Sequence, residues 1–504
     1  MTIPAQVDKA RIDWVPDAGD AQPLALWDAA AIAAATGGTA SGPFAVAGVE
    51  IDSRDCVEGD LFFALKGETS DGHAYLDGAF ARGAQAAVVD RAIPQPHVLV
   101  SDTSSALEGL ARAARSRISG KVIGVTGSAG KTGVKEALFA ALDRGSRGRA
   151  HRSLKSFNNH VGVPLSLARM SARTLFGVFE MGMNHAGELA QLTRLVRPHV
   201  AIVTTIAPAH IGFFTGEEDI ADAKGEIFEG LEKGGVAIVP ADSPHHHRLR
   251  AKAAEYAAEV ISFGLAAGAE ARLIDQVPAP GGGTLVTAAI RDRRLCYTIA
   301  QPGAHWVANS LAVMAAVSAV GGDLGAAGLA LAEMGGLAGR GARHKLAASG
   351  GDGSGAALVI DESYNANPAS MRATLAGLAE TPARRRIAVL GAMKELGALS
   401  DRYHAELAAP LAAARVDLAI LVGAEMAPLA AALGGGDGKT VGNAGAPLAG
   451  RIAVVHVADA AGAIAALDGE GIAGGDAILV KGSNSVGLGA LVRRLTGGND
   501  RVGN

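Results

Sequence analysis

Along the chain, short apolar runs alternate with longer segments whose apolar residues recur at helical spacing. The runs at residues 61–65 and 86–89 have strand length and are set among Ala-rich stretches. A second series starts with the apolar run 122–125, passes through a Gly-rich turn into the helix-like 134–142, and resumes at 175–179, 201–206 and 236–239. A third begins near Arg340, beyond the Gly/Ala-rich 335–339, with runs at 357–360, 386–390, 418–422 and 477–480. Uninterrupted apolar runs spaced by helix lengths predict parallel strands covered on both faces. The expected fold class is α/β in three domains, at 1–118, 119–337 and 338–504. Segment 217–231 reads as a helix with acidic residues in its first turn, and 349–355 and 434–438 read as surface loops.

Composition narrows the class without changing this plan. A chain of 504 residues exceeds one ordinary core, and 49% apolar against 19% charged residues excludes a disordered chain. A net charge of -4 with no long basic run leaves no electrostatic footprint for nucleic acid. The two cysteines, Cys56 and Cys296, lack metal-type spacing and fit a reducing compartment. Residues 1–22 contain no apolar signal core, and nothing approaches the roughly 18 apolar residues of a membrane span. A cytoplasmic protein with no membrane span is expected.

The first specific chemistry is Thr126-Gly127-Ser128-Ala129-Gly130-Lys131-Thr132, between a predicted strand and a predicted helix. Glycines let backbone N–H groups close around phosphate oxygens, and the helix start adds positive potential. In such a loop Lys131 reaches the outer phosphates and the Thr132 hydroxyl ligates Mg2+. The strict pattern departs at one place, where Val125 takes the first glycine position. Nucleotide binding follows; the reaction does not, since kinases, GTPases, motors and ligases all use the loop.

Two further side chains fall at predicted strand ends, where open α/β sheets bind ligands: Glu180 after 175–179 and His210 after 201–206. Glu180 with Thr132 offers the oxygen donors Mg2+ prefers. From spacing alone His210 reads equally as a loop histidine, and Lys224, inside 217–231, as a solvated helix lysine. The triplet His245-His246-His247 reads as a solvated loop, Arg384-Arg385-Arg386 as a helix-to-strand junction, and His404 has no assigned role.

Taken together these residues resemble the Mur ligase family. The resemblance includes the phosphate loop, Asn158-Asn159-His160-Val161-Gly162, Glu180-Met181-Gly182-Met183-Asn184, Ala223-Lys224-Gly225-Glu226 and Gly303-Ala304-His305-Trp306-Val307-Ala308-Asn309. Within the family, Asp361-Glu362-Ser363-Tyr364-Asn365-Ala366-Asn367-Pro368 and the segment 389–397 are similar to the branch that adds D-alanyl-D-alanine. The resemblance implies an N-terminal domain binding the UDP-muramyl peptide, a central phosphate-loop ATPase domain and a Rossmann-like C-terminal domain. It implies ATP-dependent joining of D-alanyl-D-alanine to UDP-N-acetylmuramoyl-tripeptide by a monomer. Gly127, Ser128, Ala129, Gly130, Lys131 and Thr132 would hold ATP, with Asn309 at adenine, Asp361 at ribose and Arg340 facing the phosphates. Two Mg2+ ions would sit on Thr132, Glu180, His210 and a carbamylated Lys224. Ser53, Arg54 and Lys66 would contact the uridine diphosphate, Asn159 the muramyl peptide, and Tyr364, Asn365 and Lys481 the incoming dipeptide. Ala304, Trp306, Ala392 and Thr205 depart from the residues the family commonly has.

Overall fold

Strand Lys121–Thr126 sets the plan of the molecule. Ile123 and Val125 enter one apolar layer and Val122 the opposite one, all with no exposed surface. A strand covered on both faces pairs in parallel, and helices must supply both covers. The computed structural model describes residues 25–67, 70–208, 211–280, 282–346, 356–434 and 452–497, and sets this strand inside a nine-stranded sheet. In spatial order the strands are Ala150–Arg152, Phe176–Glu180, Lys121–Thr126, Val200–Val203, Val236–Pro240, Glu259–Gly264, Ala271–Pro278, Thr284–Ile290 and Arg293–Ile299. Pairing is parallel through Ala271–Pro278 and antiparallel beyond it.

Helices Lys131–Ser146, Ala304–Ala319 and Leu324–Glu333 cover one face; Glu188–Val196, Glu217–Gly225 and His246–Ala254 cover the other. From Lys121–Thr126 the chain builds two strands on one side, then crosses to Val200–Val203 on the other. Such a reversal opens a crevice beyond the carboxyl ends of the strands. The phosphate loop lies there.

A second sheet, of six strands, is ordered Ala342–Leu346, Ala357–Glu362, Asp476–Lys481, Arg385–Gly391, Leu418–Val422 and Ala453–Val457, with only the first antiparallel. Its strands alternate as expected for two covered faces: Ile387 and Val389 enter one layer, Ala388 and Leu390 the other. The third sheet has five short strands near the N-terminus: Thr39–Ala40, His97–Leu99, Ala86–Val89, Asp60–Phe63 and Gly48–Glu50. Polar anchors fasten it to the nine-stranded unit. Trp27 Nε1 donates to the Ala168 carbonyl at 2.8 Å, and Arg169 donates to the Val49 carbonyl and the Glu50 carboxylate, each at 2.6 Å. The Arg117 guanidinium lies 3.6 Å from the Trp27 ring centroid and donates to the carbonyls of Leu26 and Met170.

Most expected strands are present, two of them end to end at 86–89 and 418–422. The helix expected at 217–231 is an α-helix over Glu217–Gly225 that tightens into a 3-10 turn over Glu226–Gly230. The strands from Glu259 to Ile299 were not anticipated. In Ala271–Pro278 only the first residue is buried, so no apolar face marks it in the sequence. The His245–His247 loop is a correction: helix His246–Ala254 starts there, and the His246 ring bonds the Pro240 carbonyl at 3.1 Å. Arg385 and Arg386 do form a junction, held by Asp476 and by the Leu378 and Thr381 carbonyls. The expected loop 349–355, residues 435–438 of the other and residues 1–22 lie outside the described residues.

Candidate active site

The cradle follows from two glycines that no other residue can replace. Gly127 has φ +146°, and a Cβ there would lie 2.0 Å from Thr204 Oγ1. Gly130, at φ +85°, starts helix Lys131–Ser146 in the left-handed region, with Asn309 Oδ1 only 3.3 Å from its would-be Cβ. Thr204, at the end of the neighbouring strand, donates its hydroxyl to the carbonyls of Ala129 (2.5 Å) and Thr126 (3.2 Å). Ser128 N donates to the Thr205 carbonyl, and Ser128 Oγ donates to the Ala207 carbonyl, both at 2.8 Å. The loop is thus preformed by the strand ends beside it. Gly127→Ala should cost on the order of 2–4 kcal/mol of stability, because it combines positive-φ strain with a clash. A thermal melt checks this, and an unchanged midpoint would contradict the geometry.

Around the loop the structure gathers a hydroxyl, a carboxylate and several cations. Thr132 Oγ1 donates to Glu180 Oε2 at 2.8 Å, and Asn158 Nδ2 donates to Glu180 Oε1 at 2.8 Å. Glu180 is 1% exposed and its backbone N–H bonds Ser153 Oγ. A buried carboxylate beside a hydroxyl fits one Mg2+, which takes the rest of its shell from water and phosphate. Among the described residues no group of three or more His, Cys, Asp or Glu side chains could hold a metal. His210, assigned to a second ion, lies outside the described residues.

Lys131 Nζ donates to the Gly127 carbonyl at 2.7 Å; burial holds its pKa below the usual lysine range, Glu180 pulls it up and Arg340 pushes it down. Lys224 is a correction to its bland reading. It is 2% exposed, not solvated, and its pKa lies well below the lysine range through burial and the neighbouring Lys131 charge. Lys481, also 2% exposed, donates to the Asn365 carbonyl at 2.9 Å and lies 3.5 Å from Glu362; burial lowers its pKa, and Arg340 opposes its charge. Arg340 donates to Ser156 Oγ at 3.0 Å, with its guanidinium 4.3 Å from the Tyr364 ring centroid. Cations from two sheets therefore face one another across the crevice, with Glu180 and Glu362 as the partly compensating carboxylates. Such a cluster is suited to a polyanion.

The other expected residues have the following surroundings. Asn309 stands against the phosphate loop at Gly130. The buried Asp361 carboxylate accepts from Gly339 N (2.7 Å), Ser363 N (3.1 Å) and Ser363 Oγ (2.6 Å), so it fixes the connection into the six-stranded sheet. Asn365 Oδ1 accepts from Ala366 N, and Asn159 Oδ1 accepts from Val161 N and Gly162 N ahead of helix Gly162–Ala168. Ser53, Arg54 and Lys66 lie by the five-stranded sheet, Arg54 paired with Asp52 at 2.7 Å and Lys66 with Asp90. His73 sits between Asp71 and Asp90, its Nε2 accepting from Asp90 N at 3.2 Å.

Several contributors carried no assigned role. Lys135, fully buried, donates to the carbonyls of Ser153 and Lys155 and so holds the segment that touches Glu180 and Arg340. His404, also fully buried, accepts the Met393 N–H at 2.9 Å and shapes the loop after Arg385–Gly391. The Thr204-Thr205 pair after an apolar run was the one legible signal among these.

Comparison with known proteins agrees with this geometry. The sequence matches the Mur ligase family catalytic domain over 45–119, the Mur ligase middle domain over 125–317, and the Mur ligase glutamate ligase domain over 350–484. A protein of Escherichia coli (strain K12) named UDP-N-acetylmuramoyl-tripeptide--D-alanyl-D-alanine ligase is 35% identical over 77% of this chain and 84% of its own. One of the same name from Synechocystis is 33% identical over 89% and 91%. A crystal structure of MurF from Acinetobacter baumannii superposes with a TM-score of 0.76 at 29% identity, covering 94% of this chain and 99% of that one. MurF from Thermotoga maritima, solved with ADP, superposes at 0.69 with 25% identity over 90% and 97%.

Proposed function

The chain belongs to the Mur ligase family, and we infer that it joins D-alanyl-D-alanine to UDP-N-acetylmuramoyl-tripeptide using ATP. The observation that carries the reading is the convergence of Lys131, Arg340 and Lys481 on the crevice beside the Thr132–Glu180 pair. A carboxylate cannot form an amide directly, because oxide is too poor a leaving group. The tripeptide carboxylate attacks the γ-phosphorus, the bond from phosphorus to the β–γ bridging oxygen breaks, and ADP leaves. The dipeptide amine then attacks the acyl carbon, losing a proton, and inorganic phosphate departs with the carbon–oxygen bond. Charge repulsion between carboxylate and triphosphate is the main obstacle to the first step, and Lys131 and Arg340 offset it.

Thr132 and Glu180 would hold Mg2+, which supplies Lewis-acid neutralisation of the phosphates when bound. A second Mg2+ would be held by His210 and a carbamate on Lys224, whose buried amine is suited to capture CO2 in its neutral form. We assign 1–118 to the UDP-muramyl peptide, 119–337 to ATP and 338–504 to the dipeptide. Ser53, Arg54 and Lys66 serve the nucleotide sugar, Asn159 the peptide, Tyr364, Asn365 and Lys481 the dipeptide. Asn309 and Asp361 serve the nucleoside of ATP. A ribose hydroxyl at Asp361 adds to the bonds it already accepts. A monomer working in the cytoplasm, where ATP and UDP-linked precursors occur together, completes the proposal. No helix of the described residues is long and apolar enough to cross a membrane.

The test is phosphate release from ATP with UDP-muramyl tripeptide, with and without D-alanyl-D-alanine, and the product mass. Release that needs both substrates and yields the pentapeptide mass is expected. Release driven by a single amino acid instead overturns the substrate assignment.

A further inference from the structure

We propose that Asn367 is a positioning residue that couples docking of the six-stranded unit to the set of the phosphate loop, an inference that rests on the ligase reading above. Asn367 is 6% exposed and uses the two ends of its amide for different jobs. Oδ1 accepts from Ser370 N at 2.8 Å while Ser370 Oγ accepts from Asn367 N at 3.0 Å, a capping box at the start of helix Pro368–Glu380. Nδ2 donates across the crevice to the Ser128 carbonyl at 3.3 Å. The cap needs only an acceptor, which serine or aspartate supplies equally well. The donor is required only by the second bond.

What that bond grips matters for catalysis. Ser128 is fastened through its hydroxyl to Ala207, donating to the carbonyl at 2.8 Å and accepting from the N–H at 3.0 Å. A few residues on, Gly212 N donates to the Glu395 carbonyl at 3.2 Å, and Glu395 belongs to the same unit as Asn367. Gly212 is thus tied to the docked unit directly, and Ala207 through Ser128. Swinging the unit away breaks both contacts together. Docking therefore adds a brace to a phosphate loop that its own strand ends already form, and that brace exists only while the dipeptide-bearing unit is in place, which ties transfer to closure.

Asn367→Asp keeps the shape and the capping acceptor but removes the donor; Asn367→Ser keeps a cap and loses the reach. In both, the melting temperature should stay within about 2 °C of the parent, since the cap survives. Turnover kcat should fall on the order of tenfold, the effect of one lost buried hydrogen bond, with ADP affinity nearly unchanged. Small-angle X-ray scattering with ADP and Mg2+ should show both variants more extended than the parent. Parental kcat together with parental scattering overturns the proposal. So does a kcat loss that follows a lowered melting temperature in one variant and is absent from the other. If the parent protein does not ligate the dipeptide, the substrate reading fails, and the scattering comparison alone decides the coupling.

Discussion

Lys131→Ala should lower kcat by on the order of 10^3 while leaving the ligand-free protein as stable as before or slightly more so. The two halves of that expectation have one cause. Among the described residues Lys131 has a single close acceptor, the Gly127 carbonyl, and its charge is opposed by burial and by Arg340 against the partial compensation of Glu180. An ammonium held this way is a cost to the fold that a triphosphate relieves, so its removal harms the complex and not the apoprotein. The ATP-induced rise in melting temperature should shrink accordingly, as ligand stabilisation follows affinity. Lys131→Arg should not restore turnover, because a planar guanidinium does not reproduce a point charge in this notch. Melting curves with and without ATP, beside a turnover assay, measure all of this. Normal turnover in Lys131→Ala would remove the phosphate loop from the mechanism, and a strongly destabilised apoprotein would mean that Lys131 is structural.

The parallel framework was legible because its strands are buried on both faces, so that Val122, Ile123 and Val125 read as one continuous apolar run. The phosphate loop was legible because backbone closure around phosphate demands glycine at 127 and 130. The antiparallel extension was not, since an exposed strand such as Ala271–Pro278 carries no apolar periodicity. Within the site, identity was easier to read than geometry. Lys224 looked solvated because a charged residue on an acidic helix usually is, yet tertiary packing buries it. Lys135 and His404 had no local signal for their place in the site, since the Ser153 and Lys155 carbonyls and the Met393 N–H that they bond come from other segments. The departure at Trp306 has a packing counterpart: its indole lies 3.0 Å from where a Cβ on Gly133 would stand, so a glycine in the phosphate-loop helix accommodates the larger ring. The substrate sugar and peptide residues rest on resemblance alone, because Arg54, Lys66 and Asn159 are engaged by their own neighbours.

Lys224→Ala carries the other large expectation, a loss of kcat on the order of 10^2 to 10^3 that a short added carboxylate such as acetate partly restores. Lys224 has no carboxylate partner among the described residues, is 2% exposed and feels the Lys131 charge. Its folded pKa is below its unfolded value, so between the two the native state binds fewer protons than the unfolded chain. Stability of the unmodified protein must then rise with pH through that window and fall as pH drops toward the folded pKa. Lys224→Ala should flatten this slope, which urea unfolding at a series of pH values measures. We propose that the same neutral amine attacks the CO2 carbon and loses a proton, so that the carbamate would place an anion beside Lys131. A carbamate carbon signal in 13C NMR after labelled bicarbonate, absent from Lys224→Ala, is the direct readout. Full activity of Lys224→Ala without added carboxylate defeats the carbamate. A deep loss with no rescue and no carbamate signal in the parent assigns Lys224 to the site as a plain amine, facing the same phosphates as Lys131.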